Sequence, residues 1–161
     1  RRMHQPGDVV YLLAPRGVDT SRWTRRNPPN YVERSHALLG RTVDGGRVWD
    51  VIATARYLHA KHDAKLPVFV LAEGPAAVVA AYAALWEEQI EGAILGNPPL
   101  SHMGDGAPQF LNVLRVCDVP DVLGMLAPKH LQIHGIVPAK LEKVVNCYAA
   151  AKAQEKLFLG Q

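Results

Sequence analysis

The 161 residues predict a single α/β domain of about five mostly parallel strands, with helices mainly on one face of the sheet. Short apolar runs bounded by turn residues recur along the chain, and helical periodicity fills the stretches between them. A balance of 48% hydrophobic, 20% charged and 7% aromatic residues fits one globular domain and excludes disordered, collagen-like and coiled-coil chains.

The first run, Val9-Val10-Tyr11-Leu12-Leu13-Ala14, stops at Pro15 and Arg16-Gly17 and reads as a strand buried on both faces. Arg16 to Asn30 is irregular, with Asn27-Pro28-Pro29-Asn30 as a breaker. Two helical pieces follow, divided by Gly40 and Gly45-Gly46; the second carries Val48, Val51, Ile52, Ala55 and Leu58 on one stripe. Val68-Phe69-Val70-Leu71 is the next strand, followed by a helix with Val78, Val79, Tyr82, Leu85 and Trp86 at helical spacing. After the strand Ala93-Ile94-Leu95, Phe110, Leu111, Val113 and Leu114 form one helical turn, Pro120 interrupts, and Val122, Leu123 and Leu126 form another. Leu131-Gln132-Ile133 and Leu157-Phe158-Leu159 are the last strands, and Pro138 opens the helix between them with Leu141, Val144, Val145 and Tyr148. With no internal repeat or low-complexity linker, residues 1–161 read as one domain.

Eighteen Lys and Arg against 15 Asp and Glu leave a net charge of +3, much of it at Arg16, Arg22, Arg25, Arg26, Arg34, Arg41 and Arg47. A nucleic-acid reader needs a denser basic face with interleaved aromatics, so no nucleic-acid partner is expected. The arginines could meet an anionic substrate or a partner's carboxylates. Local pairs, Arg41 with Asp44 and Arg47 with Asp50, are the favoured reading, and Asp19 would be a loop anchor. No apolar run approaches the roughly 18 residues of a membrane span, and no signal-peptide core precedes the first strand. The opening Arg1-Arg2-Met3, so close to a strand, suggests an excised start and leaves the compartment open.

Cys117 and Cys147 lack C-x-x-C spacing and read as buried free thiols. His59 and His62, with Asp63 next, have a spacing that metal ligands use. Two histidines do not complete a site and Lys61 and Lys65 would repel a cation, so a surface helix end is the favoured reading. No metal or cofactor is expected. His130, Gln132 and His134 share one strand face, opposite Leu131 and Ile133, and that face should be wet or near an edge.

Leu71-Ala72-Glu73-Gly74-Pro75-Ala76-Ala77 joins a strand to an Ala-rich helix through a tight turn of small residues. It resembles the nucleophile elbow of α/β-hydrolases, G-x-S-x-G, where a strained turn lifts the serine and the next N–H serves the oxyanion hole. The five positions here are Ala72, Glu73, Gly74, Pro75 and Ala76, a degenerate elbow: Gly74 has no nucleophile, and Pro75 has no N–H to donate. The resemblance extends through the element order and Ala14-Pro15-Arg16-Gly17-Val18-Asp19. It continues through Tyr31 to Asp50, with Leu39-Gly40-Arg41-Thr42 and Val48-Trp49-Asp50, and through Asn112-Val113-Leu114-Arg115 to Ala127-Pro128. Within the superfamily these stretches are similar to the acetyl-xylan-esterase-like branch, over nearly the whole chain but only the later half of the family's fold.

The resemblance implies a carboxylic-ester hydrolase with nucleophile, acid and histidine in that chain order. The acid would follow Leu131-Gln132-Ile133-His134-Gly135, where Ile136, Val137 and Pro138 stand, and the histidine would lie beyond Leu157-Phe158-Leu159, past Gln161. The expectation is therefore a hydrolase relative that is not catalytic alone, a segment of a larger protein, or else a binding or oligomerisation domain derived from a hydrolase. Right-handed crossovers running one way put the helices on one face. The other face should then be an apolar patch well above a few hundred Å2, covered by an N-terminal half, a homo-oligomer or a protein partner. Two other site candidates remain. Glu73, at the elbow, could act as a base or bind a cation, although a solvated carboxylate near a helix N-terminus is favoured. Ser101-His102 follows the third of the five expected strands at the edge where such sheets bind ligands, although adjacent residues seldom converge as nucleophile and base.

Overall fold

Four of the apolar runs pair as parallel strands in chain order: β1 (Val68–Glu73), β2 (Ile90–Gly96), β3 (His130–His134) and β4 (Leu157–Gly160). The computed structural model describes residues 7–23, 29–62 and 66–160. The register sets Val70, Ala93, Leu131 and Leu157 in one row and Ala72, Leu95, Ile133 and Leu159 in the next. These rows form the face that the helices bury. The Ala-rich helix α3 (Pro75–Trp86) lies on β1 and β2, α2 (Val43–Lys61) packs on α3, and α4 (Val119–Met125) sits between α3 and α5 (Glu142–Ala150). Ala77, Ala80, Ala81, Ala83 and Ala84 are all buried, and side chains this short let α2 and the sheet approach the α3 backbone from both sides. The remaining helix, α1 (Pro29–Leu38), touches α2.

The strand expected at Val9–Ala14 does not form, and the sheet has four strands rather than five. Val9 to Leu13 are exposed, Leu12 almost completely at 98%. An apolar run becomes a strand only where a neighbour accepts its backbone hydrogen bonds, and this run pairs with none of the four strands. It is anchored from its C-terminal end instead. The Arg16 guanidinium grips Asp50 on α2 with Nε and Nη2 at 2.9 and 2.6 Å, and the Arg16 N–H donates to the same carboxylate. That grip holds the Asp50 carboxyl below the usual carboxylate range. Arg47 pairs with Asp44 at 2.8 Å, so the expected pairs Arg41–Asp44 and Arg47–Asp50 are each replaced by a different partner. Asp19 lies in a short 3-10 turn with φ +45.

Several boundaries differ from expectation for local reasons. Gly45-Gly46 lies inside the first turn of α2, because the Thr42 hydroxyl accepts the Gly45 N–H at 2.9 Å and starts the helix ahead of the glycines. A Cβ on Gly46 would lie 2.5–2.8 Å from the Arg16 side chain, whose guanidinium is pinned by Asp50, which explains a glycine there. Pro120 opens α4 instead of interrupting a helix, since its missing N–H is harmless in a first turn. Before it, among residues 97–118, only Val113–Arg115 is helical, as a single 3-10 turn. Pro138–Leu141 is likewise a 3-10 turn leading into α5. Trp86 and Val145 leave their expected stripes and are 72% and 38% exposed. Asn27, Pro28, Arg25, Arg26, Asp63 and Lys65 lie outside the described residues.

The uncovered face is mixed rather than a continuous apolar patch. Phe69, Leu71, Ile94 and Phe158 share it with Glu73, His130, Gln132 and His134. Glycine occupies three further positions of that face, and at Gly92 a Cβ would press on Phe69 and His130. His130 packs on Phe69 and His134 on Phe158, with ring centroids 6.0 and 5.7 Å apart.

Candidate functional site

At the carboxyl end of β1 the chain turns directly into α3 through Gly74, whose φ of +59 and ψ of −136 suit glycine and strain other residues. The Gly74 N–H is held by the Gly96 carbonyl at 2.8 Å, and the Gly74 carbonyl accepts from Ala77 at 3.0 Å. A Cβ at Gly74 would meet nothing within 4 Å, so the apex of the turn looks into open space. The next residue, Pro75, starts the helix without an N–H. Glu73 beside it is exposed, with the Asn97 amide 3.4 Å from one oxygen.

Ser101 and His102 are brought together with Asp118, but in a structural arrangement. Asp118 caps α4, accepting the His102 and Val119 N–H groups at 2.8 Å each, and its N–H donates to Asp121 at 2.9 Å. Burial opposes the charge on Asp118, yet hydrogen bonds from Ser101, His102 and Val119 hold its carboxyl below the ordinary range. The His102 ring faces elsewhere. Nδ1 lies 3.0 Å from the Pro108 carbonyl, which can only accept, and Nε2 lies 3.0 Å from the Tyr82 hydroxyl. Both ring nitrogens are thus engaged, and Phe110 packs edge-on at 5.6 Å. Burial pushes the Tyr82 phenol up, reinforced by Cys117, Asp118 and Asp121. Sequence reasoning missed this Tyr82–His102–Phe110 cluster, because its partners are 20 or more residues from Tyr82.

A cleft of about 930 Å3 opens beside the turn. Pro75, Ala76 and Val79 of α3, the start of α2 with Thr42, Val43, Asp44 and Arg47, and the 106–115 loop line it, together with Leu13, Pro15 and Val18. Its lining is mostly apolar, with Arg41, Arg47 and Arg115 against Glu33 and Asp44. A second, shallower cleft of about 600 Å3 lies between Trp23, His36 and Asp50.

The other candidates stay apart. Cys117 and Cys147 are free and half-buried. His62 meets the Tyr11 hydroxyl at 3.0 Å, while His59 Nδ1 is buried without a hydrogen-bond partner. Among the described residues no group of three or more His, Cys, Asp or Glu is placed to hold a metal, and no helix is long and apolar enough to cross a membrane.

No protein-family model and no curated protein matches the chain. Among solved structures it is similar to that of a "putative acetyl xylan esterase" from Bacteroides fragilis, with a TM-score of 0.63 at 15% identity. The match covers 91% of this chain and 44% of that one, so the chain spans less than half the length of its structural neighbour. At this identity the likeness is one of architecture, and it shows that the two chains share an α/β fold.

Proposed function

We propose that the chain is a hydrolase-derived binding domain, the later half of an α/β-hydrolase fold of the acetyl-xylan-esterase-like kind, in which serine ester hydrolysis is not performed by these residues. One observation carries this reading: a residue without a side chain, Gly74, occupies the strained apex where the resemblance puts a nucleophile, and Pro75 follows it. A serine mechanism needs an Oγ to form the acyl-enzyme and an N–H to stabilise the oxyanion, and this turn offers neither. The engagement of both His102 ring nitrogens supports the same reading, since it leaves no free base beside Ser101. The cleft next to the turn is where a ligand would be held.

A Gly74→Ser variant tests this. A Cβ there meets no neighbour but the φ of +59 strains it, so thermal unfolding first checks that the variant keeps its fold; turnover of p-nitrophenyl acetate should then stay at the solution background, because Pro75 still lacks an N–H and Ile136, Val137 and Pro138 offer no acid. Turnover sensitive to phenylmethylsulfonyl fluoride, in the variant or the parent, would overturn the reading.

A further inference from the structure

We infer that the 930 Å3 cleft is a binding site for a small amphipathic carboxylate, whose apolar body lies on the cleft walls and whose anionic head meets Arg41 and Arg115. The inference takes the cleft as a binding rather than a turnover site, and so rests on the function proposed above. Three observations lead to it. The volume is near the upper end of what small-ligand sites occupy. Large apolar side chains on its lining are left without cover: Leu13, Leu111 and Leu114 are 41%, 50% and 48% exposed. Of its three guanidinium groups only Arg47 has an acid, Asp44, which also accepts the Gln109 N–H at 2.8 Å. Among the described residues neither Arg41 nor Arg115 has an ion-pair partner.

Charge settles the sign of the ligand. With Asp44 and Arg47 paired, the lining retains Arg41 and Arg115 against Glu33, an excess of one positive charge beside an apolar surface. A guanidinium fork matches a carboxylate in a planar, two-point contact that an amide cannot reproduce. Glu33 works against binding, and its removal should strengthen it.

The test compares 4-phenylbutyrate with its neutral isostere 4-phenylbutanamide by calorimetry and by amide chemical shifts. The parent protein should bind the carboxylate at least tenfold more tightly than the amide, with shifts at Arg41, Thr42 and residues 107–115. In Arg41→Gln/Arg115→Gln the preference should fall to within twofold while amide binding is unchanged; both side chains are exposed, so the fold is kept. Glu33→Gln should tighten the carboxylate two- to threefold and leave the amide alone. Raising salt from 50 to 500 mM on the parent provides an independent measure, and should erode the preference. Equal binding of both probes, a preference that survives the double variant, or shifts confined to the open sheet face would each overturn the inference. Hydrolysis of p-nitrophenyl butyrate by the same sample would instead sink the non-catalytic reading and leave the carboxylate preference to be judged on its own data.

Discussion

Burial of a carboxylate at the end of α3 sets an electrostatic condition that neighbouring side chains must meet. Glu87 is only 5% exposed, and Arg56 of α2 reaches it at 2.5 Å, while the Gln89 N–H donates to its other oxygen at 3.2 Å. Lys129 closes the same helix end, its ammonium donating to the Ala84 and Glu87 carbonyls at 2.7 Å each. Burial alone would raise the Glu87 carboxyl, but the Arg56 guanidinium and the Gln89 N–H bring it below its ordinary value of 4.5. A lowered folded pKa means stabilisation that is present above about 4.5 and is lost as pH falls through the folded value. In Arg56→Met only the Gln89 bond and the nearby Lys129 charge are left to oppose burial, and the carboxylate becomes less favourable at neutral pH. Because Arg56 is more than half exposed, water screens part of the attraction. The loss should therefore be about 2 kcal/mol at pH 7, below the usual cost of breaking a buried pair. Urea unfolding at pH 7 and pH 3.5 checks this: the deficit should shrink at the lower pH, and a deficit independent of pH would assign it to lost packing.

Among the elements, α4 depends most on its ends. Seven residues are too few for an isolated helix, so its stability comes from the buried Val119, Val122 and Leu123 and from its N-cap. Asp118 and Asp121 cap one another's N–H groups, and Asp121 is paired with Lys143 of α5. Both carboxyls lie below their ordinary value of 3.8, Asp121 through the Asp118 N–H and Lys143, so both contribute stability that disappears as pH falls below about 4. Asp118→Ala should cost about 1–2 kcal/mol at pH 7. Asp118→Asn keeps a good cap without the titration. It should lose less than the alanine variant and show a flatter stability-against-pH slope below pH 4, read by thermal unfolding at a series of pH values. A slope identical to the parent's would remove Asp118 from the acid response.

At the scale of the molecule, large apolar side chains stand uncovered: Val9, Val10 and Leu12 are 56%, 66% and 98% exposed, and Phe69 and Leu71 on the open sheet face are 43% and 55% exposed. We propose that further polypeptide covers these surfaces, from an N-terminal half, a protein partner or a second copy. Light scattering on the purified chain should give a mass above 17.6 kDa, or a monomer that binds apolar dyes strongly. A monodisperse monomer with little dye binding would count against it.

The fold class, the four paired strands and the place of the strand-to-helix turn at Gly74 were written locally, in apolar runs of strand length, in helical periodicity, and in a small-residue turn between them. These signals are legible because strand pairing and helix burial act on neighbouring or periodic residues. What tertiary structure alone decided depends on partners far apart in sequence. Val9–Ala14 has the composition of a strand, yet no edge receives it, since an apolar run cannot specify its own hydrogen-bonding neighbour. Ser101-His102 was a weak candidate from its adjacency alone, and the engagement of its polar groups by Tyr82, Pro108 and Asp118 depends on residues distant in sequence. Arg47 was expected to pair with Asp50. The approach of Arg16 from outside α2 took that carboxylate and left Arg47 to Asp44, a choice that the spacing of residues along one helix does not contain.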